Sequence, residues 1–197
     1  MDESALIAAA QRGELPAFNQ LVLSYQSLAY NVAYRIVGDG DAACDATQDA
    51  FLKAYRALDD YRGGSFKAWL LRIVTNTCYD VLRARRRRPT SSLDDLSVAP
   101  EHAWQLVNGQ AGPEDKVLQQ ELGRVIQAAI TTLPPDQRAA VVLSDIQGLS
   151  YQELAEIMGV SLGTVKSRLS RARAKLRGQL LQQQELLPSR YRLRNTG

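Results

Sequence analysis

Apolar residues recur at three- and four-residue steps along most of this chain, which is the spacing of amphipathic helices. Three such segments fill the first half of the chain, over residues 16–37, 41–58 and 66–85. Glycines follow the first segment and interrupt the loop at residues 59–65, where they end the helical pattern. The pattern therefore predicts an all-helical first domain over residues 1–88.

Residues 89–115 show no such periodicity and contain Pro, Ser, Thr, Asp, Gly and Asn instead. Within this stretch, residues 91–115 hold five acids and no base, so we predict a flexible acidic linker. Helical periodicity returns over residues 116–181, and the tail at 182–197 has no role that its sequence indicates. The predicted fold class is all-α, with two small helical domains joined by the linker.

Near the end of the second domain, Ser150 and Glu153 have the spacing of a capping box, in which each side chain accepts a hydrogen bond from the other residue's backbone N–H. Gly159 allows a left-handed turn, and Ser161 is a favourable N-cap for a following helix. Two helices joined by a short glycine turn predict a helix-turn-helix, whose second helix exposes hydroxyl and basic side chains as a recognition helix does. These side chains are Thr164, Lys166, Ser167, Arg168, Ser170, Arg171 and Arg173.

The formal net charge of +3 conceals two strongly basic blocks, one in each predicted domain. Residues 61–90 hold eight bases and one acid, and residues 161–180 hold six bases and no acid. A basic block on a helix is the electrostatic mark of nucleic-acid binding, because each neutralised phosphate releases condensed counterions. Two blocks in matching positions favour a DNA-binding protein over a chain with one solvated charged face.

The composition argues against most classes of enzyme. The single histidine, His102, has no cysteine or second histidine nearby, so a histidine-based triad or metal cluster is hard to assemble. Cys44 and Cys78 are too few and too far apart for a zinc site, and we expect both to be small buried hydrophobes. We therefore predict no catalytic residue, no metal and no cofactor.

The sequence also predicts where the protein acts. No apolar run approaches the roughly 20 residues that a membrane span needs. Asp2 and Glu3 stand where a secretory signal would carry positive charge. We expect a cytoplasmic protein without membrane insertion.

Both domains contain motifs that resemble the extracytoplasmic-function group of bacterial RNA polymerase sigma factors, in the sigma-70 family. The motifs that resemble region 4 of the family are residues 133–138, 148–155 and 163–173, and those that resemble region 2 are residues 45–51, 61–66 and 69–73 with Asn76 and Asp80. The resemblance implies a promoter-specificity subunit without catalysis of its own. Such a subunit binds core RNA polymerase and directs it to promoters through −10 and −35 elements.

The resemblance also assigns a role to the helix at 41–58. In the family, the corresponding helix docks on the clamp helices of the largest polymerase subunit. A polar stripe of mixed sign on its exposed side suits a charged partner helix. The implied polymerase-binding residues are Asp45, Gln48, Asp49, Lys53 and Arg56.

In the same family, the loop and helix that follow open the duplex and hold an extruded base of the −10 element. Binding a single-stranded base requires a pocket, aromatic or arginine planes for stacking, and cations along the phosphates. The implied −10 residues are Tyr61, Arg62, Ser65, Phe66, Lys67, Arg72, Asn76, Arg83, Arg85 and Arg86.

Region 4 of the family binds the −35 element as duplex, which gives the second helix of the helix-turn-helix its implied role. Lys166, Ser167, Ser170 and Arg171 are the candidates for base edges, with Arg168 and Arg173 on phosphates. The family resemblance further implies an anti-sigma factor that covers the two domains, and a monomer in the free state.

The residues themselves leave two other hypotheses open. One is a stand-alone helix-turn-helix regulator that binds operators as a symmetric dimer, although it leaves the first domain unexplained. The other is an enzyme acting on nucleic acid. For that, Asp45 and Asp49 can share one helix face, but no third metal ligand is evident.

Overall fold

The computed structural model describes residues 2–87 and 113–182, with the backbone alone for residues 113–120. All regular secondary structure within these ranges is helical, which confirms the predicted all-α fold. The predicted linker as far as residue 112 and the tail from residue 183 lie outside the described residues, as does His102.

Four helices form the first domain. They are α1 (Glu3–Gln11), α2 (Leu15–Val37), α3 (Gly40–Arg56) and α4 (Phe66–Arg87), with a 3₁₀ turn at Leu58–Asp60 between α3 and α4. The three predicted helices are confirmed to within a few residues at each end. The apolar pattern did not predict α1, because only one short apolar stripe marks this helix. That stripe is buried by packing against α2.

Small residues let α3 lie close to its neighbours. Ala43, Ala46, Ala50 and Ala54 recur along one face of α3 and are at most 1% exposed. This face packs against both α2 and α4, whose larger apolar side chains fill the core between the three helices. A bulkier residue at any of these positions would force the helices apart, since protein cores are close-packed.

The second domain also consists of four helices, with one irregular segment. They are α5 (Pro113–Thr131), α6 (Pro135–Val141), α7 (Tyr151–Met158) and α8 (Leu162–Leu181), with a π-helical segment at Val142–Ile146 that continues α6. Helix α5 begins at Pro113, inside the range predicted as linker, and proline is a favoured first residue of a helix.

The predicted helix-turn-helix is present, with the predicted capping residues. Ser150 and Glu153 form both hydrogen bonds of the capping box, at 3.3 Å to the Ser150 hydroxyl and 2.8 Å to the Glu153 carboxylate. Gly159 has a φ of 63°, in the left-handed region, and ends α7. The hydroxyl of Ser161 accepts from the backbone N–H of Thr164 at 3.2 Å and starts α8.

The two domains contact each other along α2 and α4. Helix α2 packs against α5 and α6, and α4 packs against α7. At the C-terminal end of α2, the side-chain amide of Gln127 donates to the carbonyls of Tyr34 and Arg35, at 3.4 Å each. Lys67 at the start of α4 donates to the carbonyl of Gln147 at 2.9 Å. Polar contacts therefore join the two domains at the end of α2 and at the start of α4.

One expectation about the thiols is wrong. Cys78 is buried, but Cys44 is exposed on α3, because its position lies outside the alanine face that packs against α2 and α4. Within the described residues, no helix combines the length and the apolar character needed to cross a membrane. In the same part of the chain, no three His, Cys, Asp or Glu side chains are grouped so that they can hold a metal.

Candidate nucleic-acid and protein interfaces

An aromatic cluster lies where the loop at 59–65 meets α4. The ring of Tyr61 meets the rings of Phe66 and Trp69 edge to face, with centroids 5.6 and 5.4 Å apart. Phe66 is 2% exposed and also contacts Tyr25 at 5.4 Å. Burial raises the pKa of Tyr61 from its ordinary value. The cluster thus has a buried base formed by Phe66 and a partly exposed ring contributed by Tyr61.

Local hydrogen bonds shape the loop itself. The Tyr61 hydroxyl donates to the carbonyl of Gly64 at 2.7 Å, and Arg62 donates to the carbonyl of Asp59 at 3.0 Å. Ser65 accepts from the backbone N–H of Ala68 at 3.1 Å, so its hydroxyl caps the first turn of α4. Of these predicted −10 residues, Arg62 and Ser65 are both exposed, and the hydroxyl of Ser65 is already engaged in the helix cap.

The predicted −10 residues on α4 divide between two sides of that helix. At about 3.6 residues per turn, Arg72 and Asn76 share one side of α4. Lys67 and Arg85 lie on the side of α4 opposite Asn76. Arg72 and Asn76 are exposed. Lys67 donates to the second domain, and Arg85 pairs with Asp39, the N-cap of α3, at 2.9 Å. The side with Arg72 and Asn76 is therefore the one that faces solvent.

Asp80 links the predicted −10 surface to the predicted polymerase surface. Its carboxylate pairs with Arg83 and, at 3.5 Å, with Lys53 of α3. The hydrogen bond from Arg83 is the main reason that the pKa of Asp80 lies below its ordinary value. Lys53 also donates to the hydroxyl of Thr77 at 3.1 Å. Lys53, a predicted polymerase-binding residue, thus contacts α4. Arg86, a predicted −10 residue, is exposed at the end of that helix.

The other predicted polymerase-binding residues, Asp45, Gln48, Asp49 and Arg56, are exposed on α3. Beside them, α2 and α3 enclose an open groove of about 1170 Å³ with a largely apolar lining. Its exposed apolar side chains include Leu15, Leu52 and Tyr55, which are 52%, 56% and 42% exposed. The polar stripe of α3 did not predict this groove, although Leu52 within the stripe was a signal for it.

The predicted −35 residues lie on α8 in four different settings. Lys166, Ser170 and Arg171 are exposed, and no ion pair within the described residues engages them. Ser167 is exposed and donates to the carbonyl of Thr164 at 2.9 Å. The hydroxyl of Thr164 contacts Ser161 at 3.0 Å and so belongs to the helix cap.

The remaining two predicted residues on α8 form ion pairs within the domain. Arg168 pairs with Asp136 at 2.9 Å. Arg173 pairs with Asp145 in a two-pronged contact, at 2.6 and 3.0 Å, and reaches the hydroxyl of Tyr151 at 3.4 Å. Both arginines hold α8 against the rest of the domain. Among the predicted −35 residues, Lys166 and Arg171 are therefore the exposed cations that no ion pair within the described residues engages.

Two family models match the chain in the same order as the two domains. The sigma-70 region 2 model matches residues 21–88, and the model of sigma-70 region 4 matches residues 123–176. The region 2 match extends through the basic C-terminal turn of α4, and the region 4 match contains the helix-turn-helix. Each of the two candidate DNA surfaces therefore lies within one matched region.

The chain is also similar to curated proteins over most of its length. It is 41% identical to the ECF RNA polymerase sigma-E factor of Escherichia coli K12 over 175 residues, which cover 88% of this chain and 91% of that protein. It is 39% identical to the ECF RNA polymerase sigma factor SigE of Mycolicibacterium smegmatis over 173 residues, covering 88% and 65% of the two chains.

Two solved structures share the fold, and both are complexes. One contains CnrH with the cytosolic domain of CnrY, with a TM-score of 0.63 and 31% identity over 89% of this chain and 95% of CnrH. The other contains the sigma factor RpoE with the anti-sigma factor NepR from Bartonella quintana, with a TM-score of 0.64 and 29% identity over 83% and 96%. The chain belongs to the extracytoplasmic-function group of the sigma-70 family of RNA polymerase sigma factors.

Proposed function

We propose that this chain binds core RNA polymerase and directs it to promoters that carry a duplex −35 element and a melted −10 element. One observation carries the proposal: each of the two sigma-70 regions presents a solvent-facing basic helix, α4 in region 2 and α8 in region 4. A stand-alone dimeric regulator is not favoured, because it would leave the region 2 surfaces without a role.

In the second domain, α8 is proposed to enter the major groove of the −35 element. Arg171, Lys166 and Ser170 are the residues proposed to contact base edges, since they are exposed and no ion pair competes for them. Ser167 and Thr164 lie on the first turns, where Ser167 donates to the carbonyl of Thr164 and the hydroxyl of Thr164 contacts that of Ser161. Arg168 and Arg173 are proposed to hold the helix in place through their ion pairs, with phosphate contact as a secondary role.

In the first domain, the loop at 59–65 and α4 are proposed to hold the melted −10 strand. Tyr61 offers a partly exposed ring for base stacking, and the next residue, Arg62, offers a planar cation. Arg72, Asn76, Arg83 and Arg86 are proposed to follow the strand along α4. Four other predicted residues are proposed to support this surface. Ser65 caps α4, and Phe66 forms the base of the aromatic cluster. Lys67 and Arg85 hold neighbouring elements in place.

Polymerase docking is proposed to use the groove between α2 and α3 together with the polar stripe beside it. Protein interfaces combine an apolar centre with a polar rim. Leu52 and Tyr55 provide the centre, and Asp45, Gln48 and Asp49 provide the rim. Arg56 extends the rim, whereas Lys53 is oriented toward Asp80 and is proposed to position α4.

The proposed partners follow from the similarity to known complexes. The structures of CnrH and of the Bartonella quintana sigma factor each hold a second protein, described for the latter as an anti-sigma factor. An anti-sigma factor is therefore proposed for this chain, alongside core polymerase and promoter DNA. The chain is further proposed to act in the cytoplasm as a monomer, without a catalytic residue, metal or cofactor of its own.

The test is transcription from a genomic-fragment library by core bacterial RNA polymerase, with and without the protein, followed by mapping of RNA start sites. Starts that depend on the protein and share two spaced upstream elements are the expected result. A variant with Leu52→Glu is expected to lose these starts through lost polymerase binding, whereas Leu23→Glu, an equally exposed leucine on α2 outside the groove, serves as control. The proposal is wrong if no start depends on the protein while the protein alone binds duplex operators as a dimer.

A further inference from the structure

Gln11, the last residue of α1, connects the N-terminal helix to the 3₁₀ turn with which the loop at 59–65 begins. Its side-chain nitrogen donates to the carbonyl of Leu58 at 3.0 Å and to the carbonyl of Tyr61 at 3.1 Å. These carbonyls lie at the two ends of the 3₁₀ turn, which spans Leu58–Asp60 and is followed by Tyr61. A side-chain amide has two protons on one nitrogen, so Gln11 satisfies both acceptors at once.

Both partners of this contact are held in place. On α1, Leu6, Ile7 and Ala10 are buried, and the helix packs along α2. Leu58 is 2% exposed and belongs to the core of the first domain. The amide of Gln11 therefore transmits the position of a packed helix to the backbone of Tyr61, and hydrogen bonds in such a partly buried place are stronger than exposed ones.

The backbone of Tyr61 matters because its ring is the proposed stacking surface for a −10 base. The ring contacts Phe66 and Trp69, and its hydroxyl reaches Gly64. Gly64 has a φ of 90° and its neighbour Gly63 a φ of 101°, so the loop beyond Tyr61 contains two residues with wide conformational freedom. Fixing the carbonyl of Tyr61 limits that freedom at the point where the loop begins.

We propose that Gln11 is a positioning residue for −10 recognition: it sets the backbone of Tyr61 and so the shape of the surface that receives the melted base. This proposal rests on the proposed function of the loop at 59–65 and goes beyond it. It assigns a role to a residue of α1, which lies outside the part of the chain matched by the region 2 model.

The test uses holoenzyme assembled from core polymerase and the full-length chain. Gln11→Met keeps the length and helix preference of the side chain and removes both donors, and Gln11→Glu replaces them with a carboxylate that faces two carbonyl oxygens. The probes are labelled single strands that carry the −10 sequence found by start-site mapping, and the same strands with each other base at its first position. The measured quantity is the ratio of affinities for the preferred base and the others.

Both variants are expected to lower this ratio about three- to tenfold, since a net hydrogen bond contributes on that scale. Binding to core polymerase and to duplex −35 DNA is expected to remain at the wild-type level. Arg12→Ala is the matched control, because Arg12 is the next residue and its exposed side chain pairs with Glu14 only locally.

Three outcomes separate the possibilities. An unchanged ratio in both variants overturns the role of Gln11, and this includes the case in which both affinities fall equally, by the unfolded fraction that circular dichroism measures. Failure of both variants to fold assigns Gln11 to stability alone and also overturns the proposal. If wild-type holoenzyme itself does not discriminate between the strands, the proposed function of the loop is wrong, which is a different result.

Discussion

Arg138 on α6 of the second domain donates a hydrogen bond to the carbonyl of Ile36 in the last turn of α2, in the first domain. Its other terminal nitrogen donates to the carbonyl of Thr131 and, at 3.0 Å, to that of Leu133, where α5 ends. The guanidinium thus lies between the C-terminal ends of two helices, where unsatisfied carbonyls carry partial negative charge. Burial lowers the pKa of Arg138 from its ordinary value, yet an arginine remains charged at neutral pH.

This arrangement predicts that Arg138→Met destabilises the protein by about 2–4 kcal/mol, because three carbonyls lose a charged donor. The measurement is urea unfolding followed by circular dichroism. Arg124→Met is the control, since Arg124 is largely exposed and its ion pair with Glu121 is long at 3.8 Å. Equal unfolding midpoints for the wild type and the Arg138 variant would contradict the role of the buried guanidinium.

Gln127 makes a second cross-domain contact, and its replacement by glutamate is expected to separate the domains. Gln127 is 7% exposed and its amide faces two carbonyls of α2, so a carboxylate there would meet acceptors without a proton to donate. Small-angle X-ray scattering of Gln127→Glu is expected to show a larger radius of gyration at unchanged helix content. Gln152→Glu, on the exposed side of α7, is expected to leave the radius unchanged.

The two thiols are expected to differ in reactivity. Cys44 is exposed, whereas Cys78 is buried, and burial raises the pKa of the Cys78 thiol to about 12. Because the thiolate is the nucleophile, iodoacetamide at neutral pH is expected to modify Cys44 alone in the folded protein. Mass spectrometry of Cys44→Ser should then show no modification until denaturant is added. Modification of that variant without denaturant would show that Cys78 is accessible.

The capping box makes part of the stability pH-dependent. Hydrogen bonds from the backbone and side chain of Ser150 hold the pKa of Glu153 below its ordinary 4.5. A depressed pKa in the folded state adds stability above the ordinary pKa, and this contribution disappears as the pH falls through the lower folded value. The difference in unfolding free energy between the wild type and Glu153→Gln should therefore be constant near neutral pH and shrink in acid. A difference that grows in acid would contradict this sign.

The exposed cations of α8 are expected to differ from the paired ones in their effect on DNA. Replacing Arg171 by alanine is expected to weaken binding to the −35 element about five- to one-hundredfold, the scale of one arginine contact to a base. Arg173→Ala is expected to lower stability instead, because it breaks the pair with Asp145. Fluorescence anisotropy with duplex −35 DNA and thermal unfolding measure the two effects. The control is Arg177→Ala, also exposed but farther along the helix.

Local sequence determined most of the helices and the turn of the helix-turn-helix. The periodicity that predicts α2, α3, α4 and α8, and the caps at Ser150 and Ser161, are properties of residues close together in the chain. Such features can be predicted from the segment alone, because the hydrogen bonds of a helix and of its caps join residues close together in the chain. The two basic blocks and their place on helices follow from the same local information.

Only the tertiary structure decided which of the candidate residues face solvent. Arg173 and Arg171 look alike in the sequence and both are exposed, yet Arg173 pairs with Asp145, 28 residues away, and no ion pair within the described residues engages Arg171. Gln11 contacts carbonyls 47 and 50 residues away, and Cys44 is exposed where the sequence suggested burial. These outcomes depend on how distant segments pack, and long-range packing is not encoded in the spacing of neighbouring residues.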